Sequence, residues 1–169
     1  MAERMVTFIN TTNRTVGVKI KEYGINKVWK TKNQKISIPY TLVEEMLWHE
    51  GFRAMIDRGI LYIENLQDKI DLGLEPEGAK KPENILVVND EEIRDLLVAK
   101  PITQFKDFVD RLNPTQITNI VNYAIANDLV DVAKSSYLQE KTGIDILKNV
   151  ARKKEMERID LAEAKAKEK

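Results

Sequence analysis

Between Pro101 and Val150 the chain spells out a series of short helices with their starts and stops, and this run constrains the fold more than any other stretch. Lys100-Pro101 ends one helix, because the residue before a proline is pushed out of the α region. Thr103 is the expected cap of the next, with Phe105, Phe108, Val109 and Leu112 on one side. Asn113-Pro114-Thr115-Gln116 then sets a good cap residue before proline at the first helical position. Ile117, Ile120, Val121 and Ala124 follow at core spacing, and Asn127-Asp128 breaks the pattern. Leu129, Val132, Ala133, Ser136 and Tyr137 suit another helix, and Thr142-Gly143-Ile144-Asp145 restarts the chain toward Leu147, Val150 and Ala151. Helices this short do not hold alone in water. Together with Ile93, Leu96 and Leu97 after the cap candidates Asn89 and Asp90, they form an expected helical bundle over 90–151.

The N-terminal part reads differently. Met5–Ile9 and Thr15–Lys21 are rich in β-formers, and the second run alternates Val16, Val18, Ile20 against Gly17, Lys19, Lys21, which is one apolar face and one wet face. The loop Asn10–Arg14 between them suggests that the two runs pair as a hairpin. Val28-Trp29 and Ile36–Ile38 suggest further short strands, the last closed by Pro39, which has no N–H to give a ladder. Thr41 and Glu44 have capping-box spacing at the head of a helix through Met46 and Leu47. Phe52, Met55 and Ile56 suggest a second, closed by Gly59, before a returning strand Ile60–Ile63. Residues 1–63 are thus expected to form a small β-sheet unit with one or two short helices, and the fold class is α+β.

Residues 64–89 lose apolar density. The stretch from Leu74 to Pro82 is charged and turn-rich and predicts a linker, with Ile70, Leu72 and Leu74 alternating as a short edge strand and Ile85–Val88 as another short strand or anchor. From 152 to 169 the chain is charged nearly all round, with isolated Met156, Ile159 and Leu161. Its alanine-rich composition favours a charged C-terminal helix that protrudes or meets a partner.

Composition removes several chemistries. There are no cysteines, so disulfides, thiolate nucleophiles and cysteine-type zinc sites are excluded. The opening residues Met1–Phe8 carry no apolar signal core, and no run approaches the roughly 20 apolar residues of a membrane helix; no membrane partner is expected. The one histidine, His49, would need a second at position 53 for a His-Glu-x-x-His zinc site, and Arg53 stands there. No phosphate-binding glycine loop and no nucleophile elbow occur. No catalytic residue, metal site or cofactor is therefore expected.

Charge supplies the candidate surfaces. The first 35 residues hold eight basic residues and only Glu3 and Glu22 against them, whereas Glu64–Lys100 holds ten acidic and five basic. Lys19, Lys21, Lys30, Lys32 and Lys35, with Lys27 and the aromatic Trp29 among them, suit a polyanion or an acidic partner; lysines on outward strand positions equally protect a sheet edge. Asp107, Asp110, Asp128 and Asp131 sit in i,i+3 pairs and are expected as a protein-facing acidic surface. Met156, Ile159 and Leu161 are the expected contacts of the tail.

One resemblance bears on function. The order Val6-Thr7-Phe8-Ile9-Asn10, then Gly59-Ile60-Leu61-Tyr62-Ile63-Glu64-Asn65, Phe105-Lys106-Asp107-Phe108-Val109-Asp110, Pro114, Asn127-Asp128-Leu129 and Thr142-Gly143-Ile144-Asp145 resembles small accessory virion structural proteins of tailed bacteriophages. The resemblance implies a non-enzymatic structural or assembly protein of the virion, made in the bacterial host cytoplasm. It would dock in several copies on other proteins of a larger assembly, such as capsid, neck or tail proteins. No functional residue carries over from that family. The alternative is a nucleic-acid-binding or regulatory module acting through the basic N-terminal unit.

Overall fold

The computed structural model describes residues 2–168 and has an α+β fold: small antiparallel sheets followed by helices. Strand β1 (Met5–Asn10) is the centre of a three-stranded sheet, flanked by β4 (Lys35–Pro39) and β5 (Leu61–Ile63). Phe8 faces Ile36 on one side and Ile63 on the other. Strands β2 (Val16–Ile20) and β3 (Ile25–Trp29) form a separate hairpin in which Val16 faces Trp29 and Ile20 faces Ile25. The alternation read in β2 is observed, with Val16, Val18 and Ile20 buried and Gly17 and Lys19 exposed.

The expected β1–β2 hairpin does not form. Asn10 is fully buried and turns the chain instead: its amide nitrogen donates to the carbonyls of Arg14 (2.7 Å) and Thr31 (3.2 Å), and its oxygen accepts from the Thr12 N–H (2.9 Å). This side chain closes an Asx-type turn and ties it to the loop before β4. The two sheets share one core, since Trp29 lies wholly buried in it and its indole N–H donates to the Phe8 carbonyl at 3.1 Å.

Helices α1 (Tyr40–Met46) and α2 (Glu50–Asp57) cover the sheets with Val43, Met46, Phe52 and Ile56. The Thr41 capping box is absent. Pro39 supplies the required φ at the helix start, so the cap position falls two residues earlier than Thr41 with no side-chain cap, and the Thr41 hydroxyl faces Glu3 at 3.5 Å. After α2, Gly59 takes a φ of +72°, and a Cβ there would lie 2.9 Å from the Asn113 amide and 3.0 Å from that of Gln116. Thr11, Gly59 and Gln116 form one buried cluster: the Thr11 hydroxyl and the Gln116 amide (2.9 Å) both donate to the Gly59 carbonyl.

Residues 64–89 are not a linker. Helix α3 (Leu66–Asp71), capped by Asn65, replaces the expected edge strand, and Ile85–Val88 is irregular rather than a strand. The segment is held by a buried ion pair: Lys69 Nζ lies 2.9 Å from Glu75 Oε1, with side-chain exposures of 1% and 0%. Lys69 also donates to the Ile85 carbonyl (3.3 Å) and sits over the Tyr62 ring. Glu75 accepts backbone N–H groups from Glu83, Asn84 and Ile85. Composition reads such a stretch as wet because it cannot show that two of its charges neutralise each other. The loop 76–83 is an exposed excursion whose neck is closed by that pair.

The described residues fall into two compact units. The first holds residues 1–87 with Asn113–Gln116, and the second holds Val88–Leu112 with Ile117 onward, so the boundary falls after Val87 and not at 63. In the second unit α4 (Asp90–Val98) opens on Asn89, which forms the capping box with Glu92. Helix α5 (Ile102–Val109) starts after Pro101 with no side-chain cap, so Thr103 does not serve as one. Helix α6 (Pro114–Ala126) opens on Asn113, whose oxygen accepts the Gln116 N–H at 3.0 Å. Helix α7 (Val132–Thr142) is capped by Asp131 and ends at Gly143 in the left-handed region; it buries Lys134, Ser135 and Leu138 and leaves Val132 exposed. Helix α8 (Ile146–Lys167) starts on Asp145 and runs unbroken through the charged tail.

The Lys69–Glu75 pair yields a direct expectation. Burial pushes the Glu75 carboxyl up, but the N–H groups of Asn84 and Glu83, the Lys69 ammonium and the Ile85 N–H outweigh it and hold it below the usual carboxylate range. Its contribution to stability is therefore present above the ordinary glutamate pKa of about 4.3 and is lost as pH falls through the lower folded-state value. At neutral pH, Glu75→Gln should cost about 3–5 kcal/mol in urea unfolding, because Lys69 is left charged and buried, and Lys69→Met with Glu75→Leu should recover much of it. The deficit of Glu75→Gln should shrink below pH 4; a loss independent of pH would count against the ion pair.

Candidate functional site

The basic surface is built on the β2–β3 hairpin. Lys19 and Asn26 lie on its wet face, whereas Lys27 is registered opposite Val18 on the other face. Lys21 follows β2 in a single 3-10 turn (Lys21–Tyr23), closed by Gly24 in the left-handed region. Lys19, Lys21, Lys27 and Lys30 are exposed, and none has a carboxylate within 4 Å among the described residues. Lys35 differs, pairing with Glu64 at 3.1 Å, and Lys32 is half-buried with its own interactions. Trp29 does not belong to this surface: it is completely buried and its N–H is used. The hairpin is thus a cationic edge without a stacking platform.

His49 occupies the backbone cap position of α2 without a side-chain cap bond. Its ring meets Tyr23 edge-on at 5.5 Å, and its Nε2 lies 3.7 Å from Glu22. Burial, with Glu45 and Glu22 nearby, raises the Tyr23 hydroxyl above its usual range. Among the described residues no group of three or more His, Asp or Glu side chains is gathered so as to hold a metal ion.

The four aspartates do not form one acidic surface. Asp110 accepts the Tyr137 hydroxyl and pairs with Lys141 at 2.9 Å, and these donors lower its pKa. Asp128, in a left-handed backbone conformation, pairs with Lys153 at 2.8 Å, which lowers its pKa likewise. The Asp131 carboxylate accepts the Lys134 N–H as the cap of α7. Only Asp107 is exposed with no partner of this kind. The i,i+3 spacing is legible in the sequence, but the lysines two helices later that neutralise Asp110 and Asp128 are not.

The tail is ordered as a helix, and its exposed apolar residues divide. At 3.6 residues per turn, Met156, Ile159, Ala162 and Ala166 fall in one sector about 120° wide. Leu161 lies roughly 160° from Ile159 and falls among Lys154, Arg158 and Lys165, which make a basic row beside that sector. Met156, Ile159 and Leu161 are 53%, 41% and 60% exposed, but only the first two can meet one partner surface.

Sequence reading passed over one residue. Trp48, between α1 and α2, is 84% exposed, while the flanking Val43, Met46 and Phe52 are buried. It borders a groove of about 270 Å³ lined by Glu44, Leu47, Arg53, Asp71 and Leu72. The signal that finds it is its place just past the last buried position of α1, where a core tryptophan has no reason to fall. An exposed tryptophan beside a groove has the chemistry of a protein-contact anchor.

Compared with known protein families, curated proteins and solved structures, the chain matches none. Among the described residues no helix is long and apolar enough to cross a membrane.

The two tryptophans should separate in solution. In dilute protein acrylamide should quench Trp48 freely and leave Trp29 nearly untouched, and Trp48→Phe should leave a single blue-shifted, poorly quenched emission. Ready quenching in Trp48→Phe would contradict the burial of Trp29.

Proposed function

We propose that this chain is a non-enzymatic structural or assembly protein of a tailed-bacteriophage particle, made in the host cytoplasm and docked in several copies on capsid, neck or tail proteins. The observation that carries this reading is α8, which stays helical from its last buried residue, Val150, to Lys167 while exposing Met156 and Ile159. An exposed helix that is already ordered suits docking, and the resemblance of the residue order to virion accessory proteins names the setting. The helical unit and tail supply the contact. Quantitative mass spectrometry of purified particles tests it: the protein should be present in a fixed ratio to the capsid protein. Presence in lysate with only trace amounts in particles would overturn the reading.

A second reading follows from the hairpin. Four exposed lysines without a carboxylate within 4 Å among the described residues, Lys19, Lys21, Lys27 and Lys30, favour contact with nucleic acid as the alternative role. Four phosphate contacts would weaken binding about 100-fold between 50 and 200 mM salt. Binding measured by anisotropy that is absent, or indifferent to salt, excludes it.

A further inference from the structure

The register of the β2–β3 hairpin sorts its cations by face. From Arg14 to Lys30 the chain carries five basic residues and one acidic residue, Glu22, which turns to His49. Arg14, Lys19, Lys21, Lys27 and Lys30 are all exposed, and none has a carboxylate within 4 Å among the described residues. Glu50 shares the groove along the β2 edge with Lys19 but stays beyond that distance. Val16, Val18 and Ile20 are buried in the core, so the opposite face of the ribbon carries Gly17 and Lys19 from β2 and their partners Val28 and Asn26 from β3. Lys27, opposite Val18, lies on the other side.

This outer face is low in the middle and cationic at both ends. Gly17, Asn26 and Val28 make its centre; Lys19 and Lys21 stand at the hairpin tip, and Lys30 and Arg14 at the open end. Lys30 continues β3 by one residue opposite Thr15, whose hydroxyl donates to the Lys30 carbonyl at 3.4 Å, and the Lys30 N–H donates to Gln34 Oε1 at 2.6 Å. The Arg14 carbonyl is held by the Asn10 amide at 2.7 Å, so the backbone of the open end is set before any partner arrives. Lys19, paired with Asn26, and Lys30 are four positions apart along the ribbon, about 13 Å at roughly 3.3 Å per residue. The face offers no aromatic ring, because Trp29 is buried and Tyr23 packs edge-on against His49. A single strand is held by stacking its bases on such rings. The major groove of B-form DNA, in contrast, is roughly 12 Å wide and admits a two-stranded ribbon between its two rows of phosphates, whereas that of duplex RNA is too deep and narrow.

We propose that the outer face of the β2–β3 hairpin binds double-stranded DNA by lying across its major groove, with Lys19 and Lys21 on the phosphates of one strand, Lys30 and Arg14 on those of the other, and Asn26 toward the base edges. Charge complementarity selects this occupant: the face has cations at both ends and no acidic residue between them, and it meets two rows of phosphates. The spacing of its ends and the lack of a stacking ring select duplex over single strand. Most of the contact is to phosphate, which positions a protein without reading sequence, so binding is largely independent of sequence. This rests on the nucleic-acid reading given above and adds to it the form of nucleic acid and the face that holds it.

Fluorescence anisotropy with the full-length chain at about 100 mM salt provides the test, using a labelled DNA duplex of about 20 base pairs, one of its strands alone, and an RNA duplex of the same sequence. The parent should bind the DNA duplex about tenfold or more tighter than either of the other probes. Lys19→Gln and Lys30→Gln should each weaken binding roughly tenfold and together about 100-fold, and the double variant should make the slope of log K against log salt shallower by about two. Lys27→Gln removes the same charge from the other face and should change affinity by less than about threefold, since charges off the contact are screened at this salt. All three positions are exposed, and melting followed by circular dichroism should match the parent. Equal or tighter binding to the single strand or to the RNA duplex, or a Lys27→Gln loss as large as that of Lys19→Gln, overturns the groove contact while leaving the nucleic-acid reading standing. A parent that binds none of the three probes overturns both.

Discussion

Short helices leave carbonyl groups without partners at their C-termini, and the way this chain satisfies them underlies the second unit. Lys134, buried in α7, donates to the carbonyls of Leu96 (3.0 Å) and Leu97 (2.9 Å) at the end of α4 and lies over the Phe105 ring. Lys153 in α8 does the same for Ile125 (2.9 Å) and Ala126 (3.0 Å) at the end of α6, with Asp128 as its counter-ion. A cation at a helix C-terminus gains from the dipole as well as from the hydrogen bonds, which offsets the several kcal/mol that desolvating an ammonium costs. Each of these lysines fixes one helix against the end of an earlier one, so that α4 with α7 and α6 with α8 are joined by polar geometry and not by apolar burial alone. In the first unit Lys69 has a related role, its ammonium shared between Glu75 and the Ile85 carbonyl.

What could be read in the sequence was what depends on neighbours within one turn or one strand. The β2 alternation, the Asn113-Pro114 start of α6 and the Gly143 stop of α7 are all local, and all are present. What could not be read depends on distant partners. The pairing of β1 is with β4 and β5, from 26 to 55 positions away, and nothing in Asn10–Arg14 distinguishes a hairpin loop from the Asx turn that Asn10 builds. The error over 64–89 has the same origin, because a charged residue counts as solvated until its partner is known. Lys134 shows this from the other side. A lysine on the inward face of a helix breaks the apolar period, and so the sequence predicts the apolar face of α7 through Val132 and Tyr137, whereas the buried face lies on Leu138 and Ser135.

The candidate surfaces follow the same division. Lysine density marks the hairpin as cationic, but Trp29, adjacent to those lysines in sequence, is sent by strand alternation to the opposite face from Val28 and is buried. Spacing alone makes Asp110 and Asp128 an acidic face, while Lys141 and Lys153 consume their charge. Trp48 belongs to none of the charged clusters that composition marks, and its place just past the last buried position of α1, together with its exposure, sets it apart from the core.

The exposed helix is the feature whose cost needs explaining. A segment of about sixteen residues with little apolar surface is marginal as a helix on its own, since nucleation is unfavourable. Here the nucleus is already formed: Asp145 caps the first turn through the Lys148 N–H, Ile146 and Val150 are buried, and Lys153 is tied to the end of α6. Every residue beyond Lys153 then adds by propagation, which alanine and the Arg158–Glu155 pair favour. A disordered tail would surrender its conformational entropy on docking, whereas a tail held as a helix has surrendered much of it during folding, and less of the contact energy is lost when a partner arrives. The lysine that satisfies the end of α6 therefore also orders the segment that this chain presents to its surroundings.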